Sequence, residues 1–135
     1  MKKIVYVIII TILLFSVVIA EQIFVDQTLN SLDDKIDSIS TKIARTEIID
    51  NEDIATNCNE IDVFWTEREK ILCLFINHND LNKIGEQIKK IKVYVEQNNK
   101  ENCKYELETL KFYAESYRHV FEINFQNLFW LKKPN

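Results

Sequence analysis

The sequence predicts an all-α protein in which an N-terminal transmembrane helix continues into an antiparallel four-helix up-and-down bundle. Three observations support this fold class. Residues 4–20 form an uncharged run rich in Ile, Val and Leu. The whole chain contains one glycine and one proline, so few residues oppose a helix. Behind the run, apolar residues recur at steps of three and four, which is the period of one helix face.

The first segment, residues 1–21, is predicted to be a transmembrane anchor. Its uncharged run would span roughly 25 Å, slightly less than the hydrocarbon core of a bilayer. Lys2 and Lys3 precede the run, which predicts a cytoplasmic N-terminus and an extracytoplasmic domain over residues 22–135. A cleaved signal peptide is the alternative, because residues 18–20 form an acceptable cleavage site. The length of the run and the helical register behind it favour the uncleaved anchor.

Short polar breaks divide the rest of the chain into four helices, which favours antiparallel neighbours. The predicted helices cover about residues 22–48, 53–76, 80–97 and 100–130. The alternative is a long anchor helix that bears a looser three-helix domain. Each predicted helix has a seam, the row of apolar residues on one face; in the first helix it consists of Val25, Leu29, Leu32, Ile36, Ile39 and Ile43. The seam of the second helix consists of Ile54, Cys58, Ile61, Trp65, Arg68, Leu72 and Phe75, widened by Phe64, Ile71 and Leu74. The third helix has Leu81, Ile84, Ile88, Ile91 and Val95, and the fourth has Cys103, Leu107, Leu110, Ala114, Tyr117, Phe121, Phe125 and Leu128.

Residues near the breaks predict how the helices begin and pack. Residues 50–53 supply N-cap side chains for the second helix, and Asn79 is predicted to cap the third. Asn98 with Glu101 resembles a capping box at the start of the fourth helix. Gly85 costs the third helix about 1 kcal/mol relative to alanine, and its small size predicts the close approach of a neighbouring helix.

Composition excludes several functional classes. Residues 21–135 keep all 21 acidic residues and lose only two of the 17 basic ones, whereas a nucleic-acid-binding domain shows a basic stripe. The three cysteines form no CxxC pattern, and the Glu-x-x-His pairs of di-iron bundles are absent. Nucleophile elbows and phosphate-binding glycine loops are absent too. We therefore predict no enzyme activity, no cofactor, and no catalytic or metal-binding residue.

Other polar residues receive structural interpretations. Asp33, Asp34 and Asp37 are expected to form a solvated helix face, since their spacing matches no calcium loop. His78 is expected to be a turn residue, and His119 an exposed or cap-forming one. The stem of the seam residue Arg68 is expected to pack while its head reaches solvent or an acid.

Two sets of residues are candidate sites if the bundle runs up and down. The fourth helix then ends at the bilayer, where aromatic and lysine side chains suit the interface. The candidate membrane-interface residues are Phe129, Trp130, Lys132 and Lys133. Their alternative role is to close the end of the bundle or to pack on the first helix. Cys58 and Cys103 would meet at the opposite end and form a possible disulfide, or else serve as small core residues.

Part of the sequence resembles a known family. The opening Met1-Lys2-Lys3 with its Ile-rich run, Trp65, and the run from Ile71 to Leu81 (ILCLFINHNDL) resemble a family of small bacterial membrane-anchored proteins, domain of unknown function 4363. The resemblance covers nearly the whole chain and implies an extracytoplasmic helical domain. It implies no activity or site residue. Cys58 and Cys103 are outside the family pattern, which argues against a shared role for a bond between them.

These observations predict a single-pass protein of the bacterial cytoplasmic membrane whose outer domain is an interaction or scaffold module. Its expected partners are the lipid bilayer and either another protein or a second copy of the chain, without nucleic acid. Two alternatives remain open. One is a ligand-sensing helical ectodomain that acts with a separate partner, and the other is a secreted helical protein formed by signal cleavage.

Overall fold

A computed structural model describes the backbone of residues 2–129 and the side chains of residues 3–119. The helices are α1 (Lys2–Arg45), α2 (Glu52–Leu72), α3 (His78–Glu96) and α4 (Lys100–Phe129). No strand occurs in this part of the chain. The all-α fold class and the number of helices are therefore confirmed.

The predicted anchor and the first bundle helix are a single unbroken helix. α1 has 44 residues, which corresponds to a length of about 66 Å. It ends at Arg45, three residues before the predicted end near residue 48. The helix ends here because backbone groups of the following loop form hydrogen bonds with side chains outside α1. The Thr46 carbonyl accepts a hydrogen bond from Lys100 Nζ, and the Ile49 N–H donates to Asn98 Oδ1 over 2.8 Å.

The core consists of the predicted seams. All the predicted seam residues of α1 and α3 are buried, and those of α4 are buried from Cys103 to Ala114. Burial of each large aliphatic side chain contributes about 1.5–3 kcal/mol, so these seams supply most of the stability. α1 packs on α2 and α4, and α3 packs on the same two helices. Each helix therefore covers its apolar face with two neighbours.

Asparagine side chains define the helix boundaries, in part differently from the prediction. Asn51 Oδ1 accepts a hydrogen bond from Ile54 N over 3.0 Å, so the predicted cap of α2 is confirmed. Asn77, not Asn79, caps α3, and its Oδ1 accepts from the backbone N–H of Asn79 over 2.9 Å. Because the cap lies two residues earlier than predicted, α3 already begins at His78.

The predicted capping box of Asn98 and Glu101 is wrong. Asn98 adopts a left-handed conformation with φ of 50°, and this turn brings the Asn99 N–H within 2.8 Å of the Tyr94 carbonyl. Asn99 is the residue whose side chain accepts from an N–H in the first turn of α4, that of Asn102. The Asn98 side chain instead binds the α1–α2 loop, as described above.

The acidic face of α1 was predicted to be solvated, but two of its carboxylates pair with side chains of α4. Lys111 Nζ lies 2.6 Å from Asp37 Oδ1, and this hydrogen bond raises the pKa of Lys111. Arg118 Nη2 lies 3.5 Å from Asp33 Oδ2. Asp34 remains exposed. Pairs this accessible to water contribute little stability, so their main effect is to favour one register of α1 against α4.

Gly85 lies beneath the buried indole of Trp65, which confirms the close approach predicted for this glycine. A Cβ atom added at Gly85 would lie 3.4 Å from Trp65 Nε1 and 3.6 Å from Cδ1. The indole N–H finds no acceptor among the described residues. The contact leaves room for one methyl group and for little more.

We therefore expect opposite effects from two substitutions at Gly85. Gly85→Ala should stabilise the fold by up to about 1 kcal/mol, because alanine removes the entropic cost of glycine and its methyl group fits against Trp65. Gly85→Leu should destabilise the fold by about 1–3 kcal/mol through overpacking. Chemical denaturation of the full chain in detergent, followed by circular dichroism, measures both. Destabilisation by Gly85→Ala would show that the indole cannot yield to the methyl group.

The cysteines fall into two classes. Cys58 and Cys103 are buried core residues with free thiols, whereas Cys73 is exposed. Burial disfavours the thiolate and raises the pKa of Cys58 from 9.0 to about 11. Burial, with a smaller contribution from neighbouring Cys58, raises the pKa of Cys103 to about 12. The disulfide between these two cysteines stays a prediction.

Alkylation rates should separate the three thiols. At mildly alkaline pH the raised pKa of Cys58 alone lowers its thiolate fraction about 100-fold, so Cys73 should react first by at least that factor. Mass spectrometry of iodoacetamide-treated protein measures the rates. Urea should expose Cys58 and Cys103 without reductant, whereas a disulfide would additionally require reduction. Comparable rates for all three thiols in folded protein would contradict their assigned burial.

The same pKa shifts predict the sign of a stability change. The folded pKa values exceed the ordinary value of 9.0, so the folded protein retains thiol protons that the unfolded chain loses. The contribution of these thiols to stability is complete below about pH 9 and is lost as the pH rises towards their folded pKa values.

Candidate functional site at the turn between α2 and α3

The turn at residues 73–77 links the end of α2 to the start of α3. The N–H groups of Leu74 and Phe75 donate to the carbonyls of Ile71 and Leu72, at 3.1 Å and 2.9 Å. These tight bonds satisfy carbonyls that the end of a helix leaves free. α2 therefore ends at Leu72, four residues before the predicted end at residue 76.

Three apolar side chains near the end of α2, which the sequence placed on its seam, are exposed. Leu72 is the last buried residue of the helix. Ile71, Leu74 and Phe75 are 44%, 76% and 39% exposed, so their predicted core positions are wrong. Leu74 and Phe75 follow the end of α2, where the helical period no longer applies, whereas Ile71 lies within the helix, one position from the buried Leu72. Together the three side chains present an apolar surface at this end of α2.

Three potential ligand side chains meet at the same turn. Glu69 is half-buried in the last turn of α2, Cys73 is the residue that ends it, and His78 is the first residue of α3. One ligand atom from each lies within 4.8 Å of the other two. Cys73 Sγ is 3.3 Å from His78 Nδ1, a distance that allows a hydrogen bond involving the thiol. The donor types are a carboxylate, a thiol and an imidazole.

The sequence did not predict this cluster, since it indicated no metal-binding residue and only a turn role for His78. Glu69 and Cys73 are four residues apart, so they share a helix face. Cys73 and His78 are five residues apart and meet across the turn that follows the end of α2 at Leu72. The available signal was a Glu-x-x-x-Cys pair followed by a histidine beside turn-forming asparagines.

Aromatic rings and a guanidinium group adjoin the turn on the side of α1. The Arg68 guanidinium carbon lies 5.2 Å from the centre of the Phe24 ring and 5.5 Å from that of Phe64. Such cation–π contacts contribute about 0.5–2 kcal/mol. Arg68 therefore joins α1 to α2 through rings, where the sequence predicted that its head would reach solvent or an acid. It also borders an open polar depression of about 280 Å³, lined with Asn30, Asp34 and other residues.

α4 contacts the other side of the site. Tyr117 Oη donates to the backbone carbonyl of Asp80 in the first turn of α3, over 3.2 Å. Burial and the nearby Asp80 carboxylate raise the pKa of Tyr117. Lys83 Nζ in turn lies 3.0 Å from Asp80 Oδ1. The start of α3 is thereby tied to both its own helix and α4.

The predicted disulfide pair lies elsewhere on the bundle. Cys58 is fifteen residues before Cys73 on α2, which is about 22 Å along the helix, so the buried pair does not join the turn cluster. The backbone of Phe129 ends α4, but its side chain and residues 130–135 fall outside the described residues. Membrane contact by Phe129, Trp130, Lys132 and Lys133 therefore stays a prediction.

The N-terminal part of α1 is both apolar and exposed. Within the described part of the chain, α1 is the helix that is long and apolar enough to cross a membrane. No residue of its most apolar stretch is buried on the protein. A membrane span or a signal anchor has this character.

Comparison with known proteins gives one match. A sequence model of a family described as "Domain of unknown function (DUF4363)" matches residues 20–128, which include all of α2 and α3 and the turn between them. No curated protein and no solved structure shows significant similarity to the chain. The match covers more than half of the sequence, and the chain therefore belongs to the DUF4363 family.

Proposed function

We propose that the protein is a single-pass membrane protein whose α1 crosses the bilayer and carries an extracytoplasmic helical interaction module. One observation supports this most. The apolar residues 4–20 are exposed, yet they belong to the same unbroken helix whose seam from Val25 to Ile43 is buried in the core. An apolar surface of this extent in water is unfavourable, whereas a bilayer accommodates it.

The proposal takes neighbouring helices as antiparallel, in up-and-down order. Ion pairs between α1 and α4 support this direction. Asp33 pairs with Arg118, whereas Asp37, one turn later on α1, pairs with Lys111, almost two turns earlier on α4. Residue numbers thus rise in one helix as they fall in the other.

The same order brings the α2–α3 turn towards the membrane. Phe24 of α1 contacts Arg68 of α2, whereas Lys42 pairs with Asp53 over 2.9 Å, so these helices also run in opposite directions. Four residues beyond Arg68, α2 has advanced about 6 Å towards the level of residue 20, where the apolar run ends. The exposed apolar side chains of the turn then lie near the bilayer interface, which suits them energetically.

Exposed aromatic residues on α4 support the interaction role. Tyr105 and Phe112 are 66% and 64% exposed and lie seven residues apart, so they share one face of the helix. Aromatic side chains are enriched at protein interfaces. The surface depression beside Arg68 is open to solvent, and the seams are filled by side chains. This arrangement favours partner binding over a ligand-sensing cavity.

Labelling of Cys73 tests the location. In bacterial cells that express the full chain, a membrane-impermeant maleimide should label Cys73 without permeabilisation, because its side chain is exposed on the proposed extracytoplasmic domain. Cys73→Ser should remove the label, since Cys58 and Cys103 are buried. Labelling only after permeabilisation would place the domain inside. A mature mass lacking residues 1–20 would replace the anchor with a cleaved signal.

Site-specific photo-crosslinking tests the interaction role. A photoreactive residue at Tyr105 or Phe112 should give crosslinked species in intact membranes, because both side chains project from the bundle. Lys104, turned by about 100° around α4 from Tyr105, is the exposed control and should give fewer. The adduct mass distinguishes a second copy from another protein. Equal yields at all three positions, or none at any, would count against an interface on this face.

A further inference from the structure

We propose that Glu69, Cys73 and His78 form a Zn²⁺ site in which a carboxylate, a thiolate and an imidazole close around one ion at the α2–α3 turn. The site would connect the last turn of α2 to the first residue of α3. Three protein ligands leave one position of a tetrahedral zinc ion for water or for a group from a partner. The inference does not depend on which side of the membrane the domain occupies.

Distances in the cluster suit zinc. With Zn–S of about 2.3 Å and Zn–N of about 2.0 Å, tetrahedral geometry separates sulfur and nitrogen by about 3.5 Å. Cys73 Sγ and His78 Nδ1 are 3.3 Å apart. The Glu69 carboxylate completes a set whose members all lie within 4.8 Å of one another. Small side-chain rotations are therefore sufficient to bring all three donors to one ion.

Backbone hydrogen bonds hold the ligand residues in place before an ion binds. The Cys73 N–H donates to the Glu69 carbonyl over 2.9 Å, which keeps both residues in helical geometry. His78 follows the N-cap Asn77, whose carbonyl accepts from Asp80 N over 3.0 Å. Ordering of the ligand backbones thus adds little entropic cost to metal binding.

Donor chemistry selects the class of ion. Ca²⁺ and Mg²⁺ require several oxygen ligands, and the cluster offers one carboxylate. Thiolate and imidazole together suit Zn²⁺. A hydrogen bond between Cys73 and His78 would explain the short distance between Sγ and Nδ1 without an ion, but it would not explain why the Glu69 carboxylate lies beside them. Exposure of Cys73 and His78 provides the entry path for an ion.

Binding has a defined proton balance. The Cys73 thiol gives its proton to solvent as the sulfur–zinc bond forms, and a neutral His78 supplies the lone pair of Nδ1. Zinc affinity should therefore increase with pH, and binding should acidify a weakly buffered solution.

Cobalt spectroscopy tests the site. Full-length protein in detergent, stripped with a chelator that is then removed, is titrated with Co²⁺ as a coloured substitute for Zn²⁺. We expect one ion per chain, a thiolate-to-metal charge-transfer band, and displacement of cobalt by Zn²⁺. Absence of this band from the wild-type protein would overturn the proposal.

Matched substitutions assign the ligands. Cys73→Ser should abolish the charge-transfer band, and His78→Gln and Glu69→Gln should each weaken binding about tenfold or more. His119→Gln and Glu67→Gln change exposed residues outside the cluster and should leave the affinity unchanged. A band that survives Cys73→Ser, or equal affinities of the ligand variants and controls, would also overturn the site.

A second measurement uses the unaltered chain, so it remains informative if a variant misfolds. Zn²⁺ should slow the alkylation of Cys73 about tenfold or more, because the sulfur shares electron density with the ion and becomes a weaker nucleophile, whereas Mg²⁺ should not. Equal rates of Cys73 alkylation with and without Zn²⁺ would contradict the proposal.

Discussion

Burial of one face of α1 is the constraint on which the rest of the structure depends. Leu32, Ile36 and Ile43 are almost completely removed from solvent, and the helix that bears them reaches back without a break into the exposed apolar run. A sharp kink between the two parts would require breaking backbone hydrogen bonds of the helix. The orientation of the bundle is thereby coupled to the orientation of the apolar segment.

The turn between α2 and α3 illustrates how a small change in helix length alters surface chemistry. α2 stops at Leu72, and the next apolar residues face outward while Cys73 comes within reach of His78. Had the helix continued to residue 76, His78 would lie further along its axis, away from Glu69. The end of one helix thus produces both the exposed apolar surface and the ligand cluster.

Periodicity predicted the seams because a buried helix face depends on local spacing alone. Its failures lie where a distant residue decides the outcome. Asn98 binds the α1–α2 loop, a contact across almost fifty positions of the chain, and this frees Asn99 to cap α4. The Glu69–Cys73–His78 cluster is local, but it depends on where α2 ends, and periodicity extended that helix to residue 76 instead of Leu72.

The three thiols differ in how far the fold protects them from solvent, and this difference gives a metal ion at the cluster a protective role. Cys58 and Cys103 are protected by burial, which raises their pKa values to about 11 and about 12. Cys73 lacks this protection and lies at the surface. Outside the cytoplasm an exposed thiol is open to oxidation. A zinc ion held by Cys73 and its two neighbours would shield the sulfur and brace the α2–α3 turn at once, so the same coordination would serve chemical and mechanical stability.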